Sequence, residues 1–360
     1  MALGRKTVVA IPVRNEEHHL DACLDALREQ SHPADAVILL LNNCSDGSAG
    51  ICRYAGSSWP ALRIVECRLD GNDASAGEAR RLAIEYAMAE VGDGVILTTD
   101  ADSIVPPGWI ADNFAEIADG ADCVCGMAVV SHQECGGNRP RLAFDDMRET
   151  LLLALQDEIA AIVDPDPADP WPRHQQHSGA SIAVLAGSLR RAGGAPRVAV
   201  GEDRALVAKL ALVDARIRHS PRIQVTVSGR LQGRAAGGMA DTMRRRVNCL
   251  DWLTDDRLEP TVDAYRRVLM RARLRTVFRG EEEGDRLAKD LILSRLVMDD
   301  ALDSRFFGTA WARIERESAV LHRRRVAFAD LARETRQALA LLEHVRGAAA
   351  PVGARFRHAV

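Results

Sequence analysis

Gly94-Val95-Ile96-Leu97-Thr98-Thr99-Asp100-Ala101-Asp102-Ser103 is an apolar run that ends in two carboxylates one residue apart. Gly92-Asp93-Gly94 bounds it on one side and Pro106-Pro107-Gly108 on the other. That pattern reads as a buried strand of a parallel sheet, followed by a loop and a new element. In open α/β sheets, ligands bind just outside the carboxyl ends of the strands. Two acidic side chains there suit a divalent cation of the magnesium or manganese kind, which prefers oxygen ligands and often also holds substrate phosphates. The plainer reading is a solvated acidic turn, because Asp is common in loops. The surrounding chain decides between them.

Upstream, Thr7 to Val13 reads as a first strand ending at Arg14-Asn15-Glu16-Glu17. Leu20, Cys23, Leu24 and Leu27 then fall at helical spacing. Ala36 to Leu41 is a second strand, with the loop Asn42 to Ser48 after it, then a short helix and a third strand at Leu62 to Cys67. Ala79, Leu82, Ala83, Tyr86 and Ala87 mark the helix that leads back to the acidic stretch. Downstream, Ile110, Phe114 and Ile117 mark a helix and Cys123 to Val130 a strand. Strand and helix alternate, so the expected fold class is α/β with a mostly parallel sheet.

Past Val130 the pattern loosens. Phe144 to Val163 has a helical composition, and Asp164-Pro165-Asp166-Pro167-Ala168-Asp169-Pro170-Trp171-Pro172 reads as a surface loop. Ser178-Gly179-Ala180-Ser181 is followed by an expected short helix ending at Gly193-Gly194. Gly201-Glu202-Asp203-Arg204 opens another helix, and Ile223 to Val227 is an expected last strand. Beyond Gly237 the residues favour helix throughout, which suggests domains at 1–236 and 237–360. Phe328, Leu331, Ala338, Leu342 and Val345 form a near-heptad run that reads either as a core helix or as the seam of a homodimer.

The net charge of −4 over 360 residues argues against a dedicated nucleic-acid binder. No apolar segment is long enough to span a membrane, and the N-terminus does not read as a signal peptide. Eight cysteines without a C-x-x-C pair fit a reducing cytoplasm. Cys123, Cys125, His132 and Cys135 could be read as zinc ligands, but two thiols on one strand face are more simply core residues.

Four loops therefore stand at one edge of the sheet: Pro12 to Glu16, Asn42 to Ser48, Gly71 to Arg81, and Thr98 to Ser103. The third runs into a helix N-terminus, whose N–H groups and dipole suit an anion, and Arg80 and Arg81 suit phosphate oxygens. Five stretches in order now matter: Ile11-Pro12-Val13-Arg14-Asn15-Glu16-Glu17, Asn42-Asn43-Cys44-Ser45-Asp46-Gly47-Ser48, Gly77-Glu78-Ala79-Arg80-Arg81, Thr99-Asp100-Ala101-Asp102 and Gly201-Glu202-Asp203. With them the chain resembles the family 2 glycosyltransferases, over roughly residues 7 to 230. The resemblance implies a GT-A fold with a helical C-terminal region, a nucleotide-diphosphate sugar as donor, an acceptor it does not name, and a manganese or magnesium ion. It implies that Pro12, Val13, Arg14, Asn15 and Glu16 line the nucleoside pocket with Asn42 and Asp46. Gly77 and Arg80 would lie near the diphosphate. Asp100, Ala101 and Asp102 would meet ribose and metal, and Asp203 would deprotonate the acceptor. His219 is a weaker third metal ligand by the same resemblance. Trp171 and Glu202 are expected on the acceptor side.

Two departures stand out. Asn42 occupies a place where the family has Asp, and an amide donates as well as accepts. The Q-x-x-R-W pattern of processive synthases is absent, which points away from polymerisation. The competing readings are a nucleotidyltransferase, which would carry a glycine-rich basic loop after the first strand, and a non-catalytic sugar-nucleotide-binding protein. The loop here is Arg14-Asn15-Glu16-Glu17, and the acidic residues are intact.

Overall fold

A computed structural model describes residues 4–131, 139–233, 238–248 and 252–349. The chain forms two compact units, residues 1–139 with 176–248, and residues 140–175 with 249–360.

In the first unit, β1 (Thr7–Val13), β2 (Ala36–Asn42), β3 (Leu62–Cys67), β4 (Val95–Thr98), β5 (Cys123–Val130), β6 (Ile182–Leu185) and β7 (Ile217–Val227) form one seven-stranded sheet of order β3-β2-β1-β4-β6-β5-β7. β3, β2, β1 and β4 run parallel, β6 lies antiparallel to β4 and β5, and β5 is parallel to β7. Helices α1 (Leu20–Arg28), α2 (Ser48–Ser58), α3 (Ala76–Val91) and α4 (Trp109–Ala118) connect the early strands. The two-residue period of the strands sorts their side chains. Val9, Ile11 and Val13 pack with residues of α1, α2 and α4, while Val8 and Ala10 pack with α3 on the other face. Both faces are covered, which is why the strands carry near-continuous apolar runs. This is the expected fold class, and the helical C-terminal region is present as well.

Two expectations need correction. The stretch before Gly193-Gly194 is not helix alone: Ile182–Leu185 is a strand, and α6 (Ala186–Arg191) follows it without a break. Four apolar residues are too few to show a period, so only their pairing with β4 and β5 identifies them. The last strand begins at Ile217, not Ile223, because Ile217 and the polar Arg218 and His219 pair along Cys123 to Cys125 before a register shift. α7 (Glu202–Leu212) precedes it, as expected, and α8 (Met239–Val247) comes after.

The second unit is helical: α5 (Arg139–Val163), α9 (Thr261–Phe278), α10 (Gly284–Asp290), α11 (Arg295–Leu302), α12 (Phe307–Glu317) and α13 (Leu331–Ala349). One core joins Leu274, Leu287, Met298 and Ile314, and another joins Leu152 and Ile159 with Leu331, Ala338, Leu342 and Val345. The near-heptad stripe of α13 is therefore buried within its own unit, as the core-helix reading has it. Among the described residues no helix is long and apolar enough to cross a membrane.

Candidate functional site

The loop after β4 sets the geometry. Thr98, Thr99 and Ser103 are fully buried and Ala101 nearly so, which leaves Asp100 and Asp102 as the polar side chains that reach the sheet edge. Ser103 N–H donates to the Asp100 carbonyl at 3.1 Å and tightens the turn. Arg80, buried on α3, donates from Nη2 to Asp100 and from Nε to Glu202 Oε1 at 2.9 Å. Its Nη1 donates to the Gly179 carbonyl at 3.1 Å. Burial opposes the Arg80 charge, but Asp100 and Glu202 outweigh it and hold the guanidinium more firmly protonated than usual.

Asp203 lies beside this knot, in the first turn of α7. Its carboxylate accepts from the Gly179 N–H at 3.1 Å and from the Arg204 N–H at 2.7 Å. Burial, with help from the Glu202 charge, pushes its pKa up. Gly179 thus serves both groups, and a Cβ there would come within 2.5 Å of the Arg80 guanidinium carbon. The sequence reading quoted Gly179 without a role. Its signal, a glycine between Ser178 and Ala180, is common to many turns.

A second knot forms around Glu16 and Asp102. Arg230, three residues past β7, donates to Glu16 through both Nη1 (2.5 Å) and Nη2 (2.6 Å). Arg230 Nη2 also lies 2.9 Å from Asp102 Oδ2, and Nη1 lies 3.5 Å from His19 Nδ1. Burial and the neighbouring Asp100 charge push the Asp102 carboxyl up to about 6, against the pull of Arg230. Nothing local links residue 230 to residue 16.

The loops after β1 and β2 are laced together. Asn15, in the left-handed region at φ 56°, accepts from Ser45 N–H at 2.8 Å. Glu16 N–H donates to Ser48 Oγ at 2.8 Å, and Glu17 accepts from Gly47 N–H at 2.7 Å. Asp46 accepts from the N–H groups of Glu17 and Ser48, and these bonds outweigh burial and lower its pKa. Asn43, also left-handed at φ 51°, holds the Leu69 backbone through both its amide atoms. Val13 is buried, Pro12 and Arg14 are half-buried, and Asn42 is only 1% exposed with its Oδ1 lacking a protein partner.

The start of α3 is partly committed. Ser75 caps Glu78 N–H, and Gly77 N–H donates to the Ala199 carbonyl at 3.3 Å. A Cβ on Gly77 would overlap the Val198 carbonyl oxygen, so this glycine lets α3 and the 198–199 backbone approach. Arg81 pairs with Glu78 and Glu85 of its own helix.

Other expected residues stand elsewhere. Among the described residues no three of His, Cys, Asp or Glu gather in a way that could hold a metal ion. His219 therefore does not join Asp100 and Asp102; on β7 it faces His177, with Nε2 to Nε2 at 3.0 Å. Cys123 and Cys125 are buried free thiols, and His132 and Cys135 lie outside the described residues. Trp171 belongs to the second unit, where it borders a cavity of about 330 Å³ with Glu158, Ile162, Pro165, Pro167 and Pro170.

The donor set still fits a magnesium or manganese ion. Asp100 and Asp102 supply hard oxygen ligands on one turn, and burial, with the Asp100 charge, disfavours the ionised Asp102 carboxylate in the absence of a further cation. Such ions are commonly held by one or two carboxylates, with waters and substrate phosphates completing the shell.

Comparison with known proteins adds the following. Residues 8–167 match the model for "Glycosyl transferase family 2". No curated protein sequence matches the chain significantly. Among solved structures, the chain is similar to the mannosyltransferase PcManGT from Pyrobaculum calidifontis in complex with GDP-Man and Mn2+, at 18% identity and a TM-score of 0.47, covering 96% of this chain and 83% of that one. It is similar to S. aureus TarS 1-349 in complex with UDP, at 14% identity and a TM-score of 0.46, covering 95% and 92%. It is also similar to glucosyl-3-phosphoglycerate synthase from Mycobacterium tuberculosis in complex with Mn2+, UDP-Glc and phosphoglyceric acid, at 18% identity and a TM-score of 0.39, covering 74% and 80%.

Proposed function

We propose, from the premise that this chain is a glycosyltransferase with a family 2 segment over residues 8–167, that it moves a sugar from a nucleoside-diphosphate sugar to an acceptor hydroxyl. The reaction is metal dependent, inverting and non-processive. The observation that carries the reading is Arg80, which bridges Asp100 after β4 and Glu202 at the start of α7. That bridge brings the acidic pair and the Asp203 carboxylate to one edge of one sheet.

Asp203 is the general base. A carboxylate within hydrogen-bond reach takes the acceptor proton as the hydroxyl attacks the anomeric carbon. Burial raises its proton affinity, and the Gly179 and Arg204 N–H groups fix its direction. Asp102, with Asp100, is the pair to hold manganese or magnesium, which when bound supplies Lewis-acid stabilisation of the departing diphosphate. Arg80 adds a fixed positive charge to that end of the site. One base and one cation suffice for a single displacement, hence inversion. Pro12, Val13, Arg14, Asn15, Glu16, Asn42, Asp46, Gly77 and Ala101 form the nucleoside side. The orphaned Asn42 Oδ1 supports a ligand-facing role for that amide. Glu202 positions Arg80 beside the base, and the exposed indole of Trp171 is assigned to acceptor recognition. Free thiols at all described cysteines are in keeping with a cytoplasmic protein.

The test is a panel of UDP- and GDP-sugars with manganese, followed by proton NMR of the released sugar or product. Turnover that stops on adding EDTA and gives the opposite anomer supports the proposal. Retention of the anomeric configuration, or full turnover in EDTA, overturns it.

A further inference from the structure

The carboxylate edge holds a cation of its own. Arg230 grips Glu16 with both guanidinium nitrogens, at 2.5 and 2.6 Å, and reaches Asp102 with Nη2 at 2.9 Å. Glu16 is 6% exposed, and the side chains of Arg230 and Asp102 are 19% and 20% exposed. A guanidinium is planar, always charged and less strongly hydrated than an ammonium, so it suits a partly buried carboxylate pair. We propose that Arg230 is a resident counter-cation that competes with the divalent metal for Asp102. The inference rests on the assignment of Asp102 to the metal in the preceding section.

The contacts differ in kind. The fork on Glu16 is a two-point, charge-assisted pair, the strongest arrangement available to arginine. The link to Asp102 uses a single nitrogen already engaged with Glu16. A metal that ligates Asp102 directly places a double positive charge a few ångströms from that nitrogen, and the two repel. The weaker link therefore yields first. Arg230 keeps Glu16, which is anchored by its N–H on Ser48, and releases Asp102.

Two consequences follow. The free protein holds Asp102 paired with Arg230, so metal alone binds more weakly than an unpaired carboxylate would allow. The Nη2 hydrogen released from Asp102 is then open to a diphosphate oxygen arriving with the metal. Metal and nucleotide binding thus become positively coupled, each favouring the arrangement the other needs.

The test uses the full chain without nucleotide and titrates manganese alone, with the free-ion electron paramagnetic resonance signal as readout. Arg230→Gln should bind manganese at least tenfold more tightly than the parent. Arg230→Lys, which keeps the charge, should stay near the parent and also serves if the glutamine variant fails to fold. Asp102→Asn should abolish binding. Equal affinity in the parent and Arg230→Gln, with Asp102→Asn inactive in binding, overturns the competition and leaves the metal assignment standing. Tightening in Arg230→Lys equal to that in Arg230→Gln also overturns it, since charge would then not matter. Absence of manganese binding in the parent and in Arg230→Gln overturns the metal assignment and this inference together.

Discussion

Two buried carboxylates of the helical unit and two arginines at the sheet edge of the first unit are paired in opposite proportion. In the helical unit the buried carboxylates Asp164 and Glu259 are each met by two arginines. Asp164 takes Arg271 at 3.0 Å and Arg275 at 3.0 Å, and Glu259 takes Arg267 at 2.6 Å and Arg323 at 3.4 Å. At the sheet edge Arg80 is met by the two carboxylates of Asp100 and Glu202, and Arg230 by those of Glu16 and Asp102. The first arrangement satisfies its carboxylates. The second leaves a surplus of negative charge, and its members Asp102 and Asp203 both have raised pKa values. Ion pairs alone do not mark a site; the unmet demand for positive charge does.

The comparison predicts that substitutions at the edge change chemistry and those in the helical unit change stability. The largest effect is expected at Asp203. Asp203→Asn still accepts hydrogen bonds through its amide oxygen but no longer takes a proton, so turnover should fall by about 10²–10⁴-fold with the melting temperature nearly unchanged. Glu202→Gln is the milder control. Near-parental turnover of Asp203→Asn at saturating acceptor would remove it from the role of base.

Arg267 should behave in the opposite way. It is held by Glu259 and Glu315 and by the Leu321 carbonyl at 2.7 Å, deep in the helical unit. Arg267→Met leaves Glu259 buried without its fork and should cost about 3–5 kcal/mol of stability, read by chemical denaturation. Nucleotide affinity of the folded fraction should not move. A change in affinity as large as the change in stability would dissolve the distinction between the two regions.

The smallest effect concerns pH. Asp102 has a folded pKa near 6, above its ordinary value of 3.8, so the folded protein holds this proton more tightly than the unfolded chain does. Stability should therefore fall as pH rises between roughly 4 and 6, and the full deficit, on the order of 2–3 kcal/mol, persists above that range. Asp102→Asn should raise the melting temperature of the metal-free protein at pH 7.5, and the gain should shrink towards pH 4. A variant no more stable than the parent at pH 7.5 would show that Arg230 neutralises the site fully.

Much of this molecule was legible from its residues. Strands β1, β2, β4 and β5 announced themselves through near-continuous apolar runs, as buried strands do, and the acidic turn after β4 follows from where that run stops. β6 was hidden because Ile182–Leu185 passes directly into a helix with no turn residue between them. The early half of β7 was hidden by Arg218, His219 and Ser220, whose polarity is accommodated partly by Glu116 on α4. The site divided in the same way. Asp100, Asp102 and Asp203 sit at positions that local pattern marks, whereas Gly179 and Arg230 owe their roles to partners far away in sequence. Such pairings are a property of the folded chain, and no window of neighbouring residues contains them.

The lacing of the β1 and β2 loops has one more consequence. Asn15 holds the Ser45 backbone, Glu17 that of Gly47, Asn43 that of Leu69 and Asp46 those of Glu17 and Ser48, while the Glu16 N–H donates to Ser48 Oγ, so the protein's own bonds fix this wall of the proposed nucleoside side. A loop that is already ordered surrenders little conformational freedom on association. If the proposed nucleoside side takes the base and ribose, recognition there is a matter of fit to a finished surface, and the entropy lost on binding falls chiefly on the nucleotide.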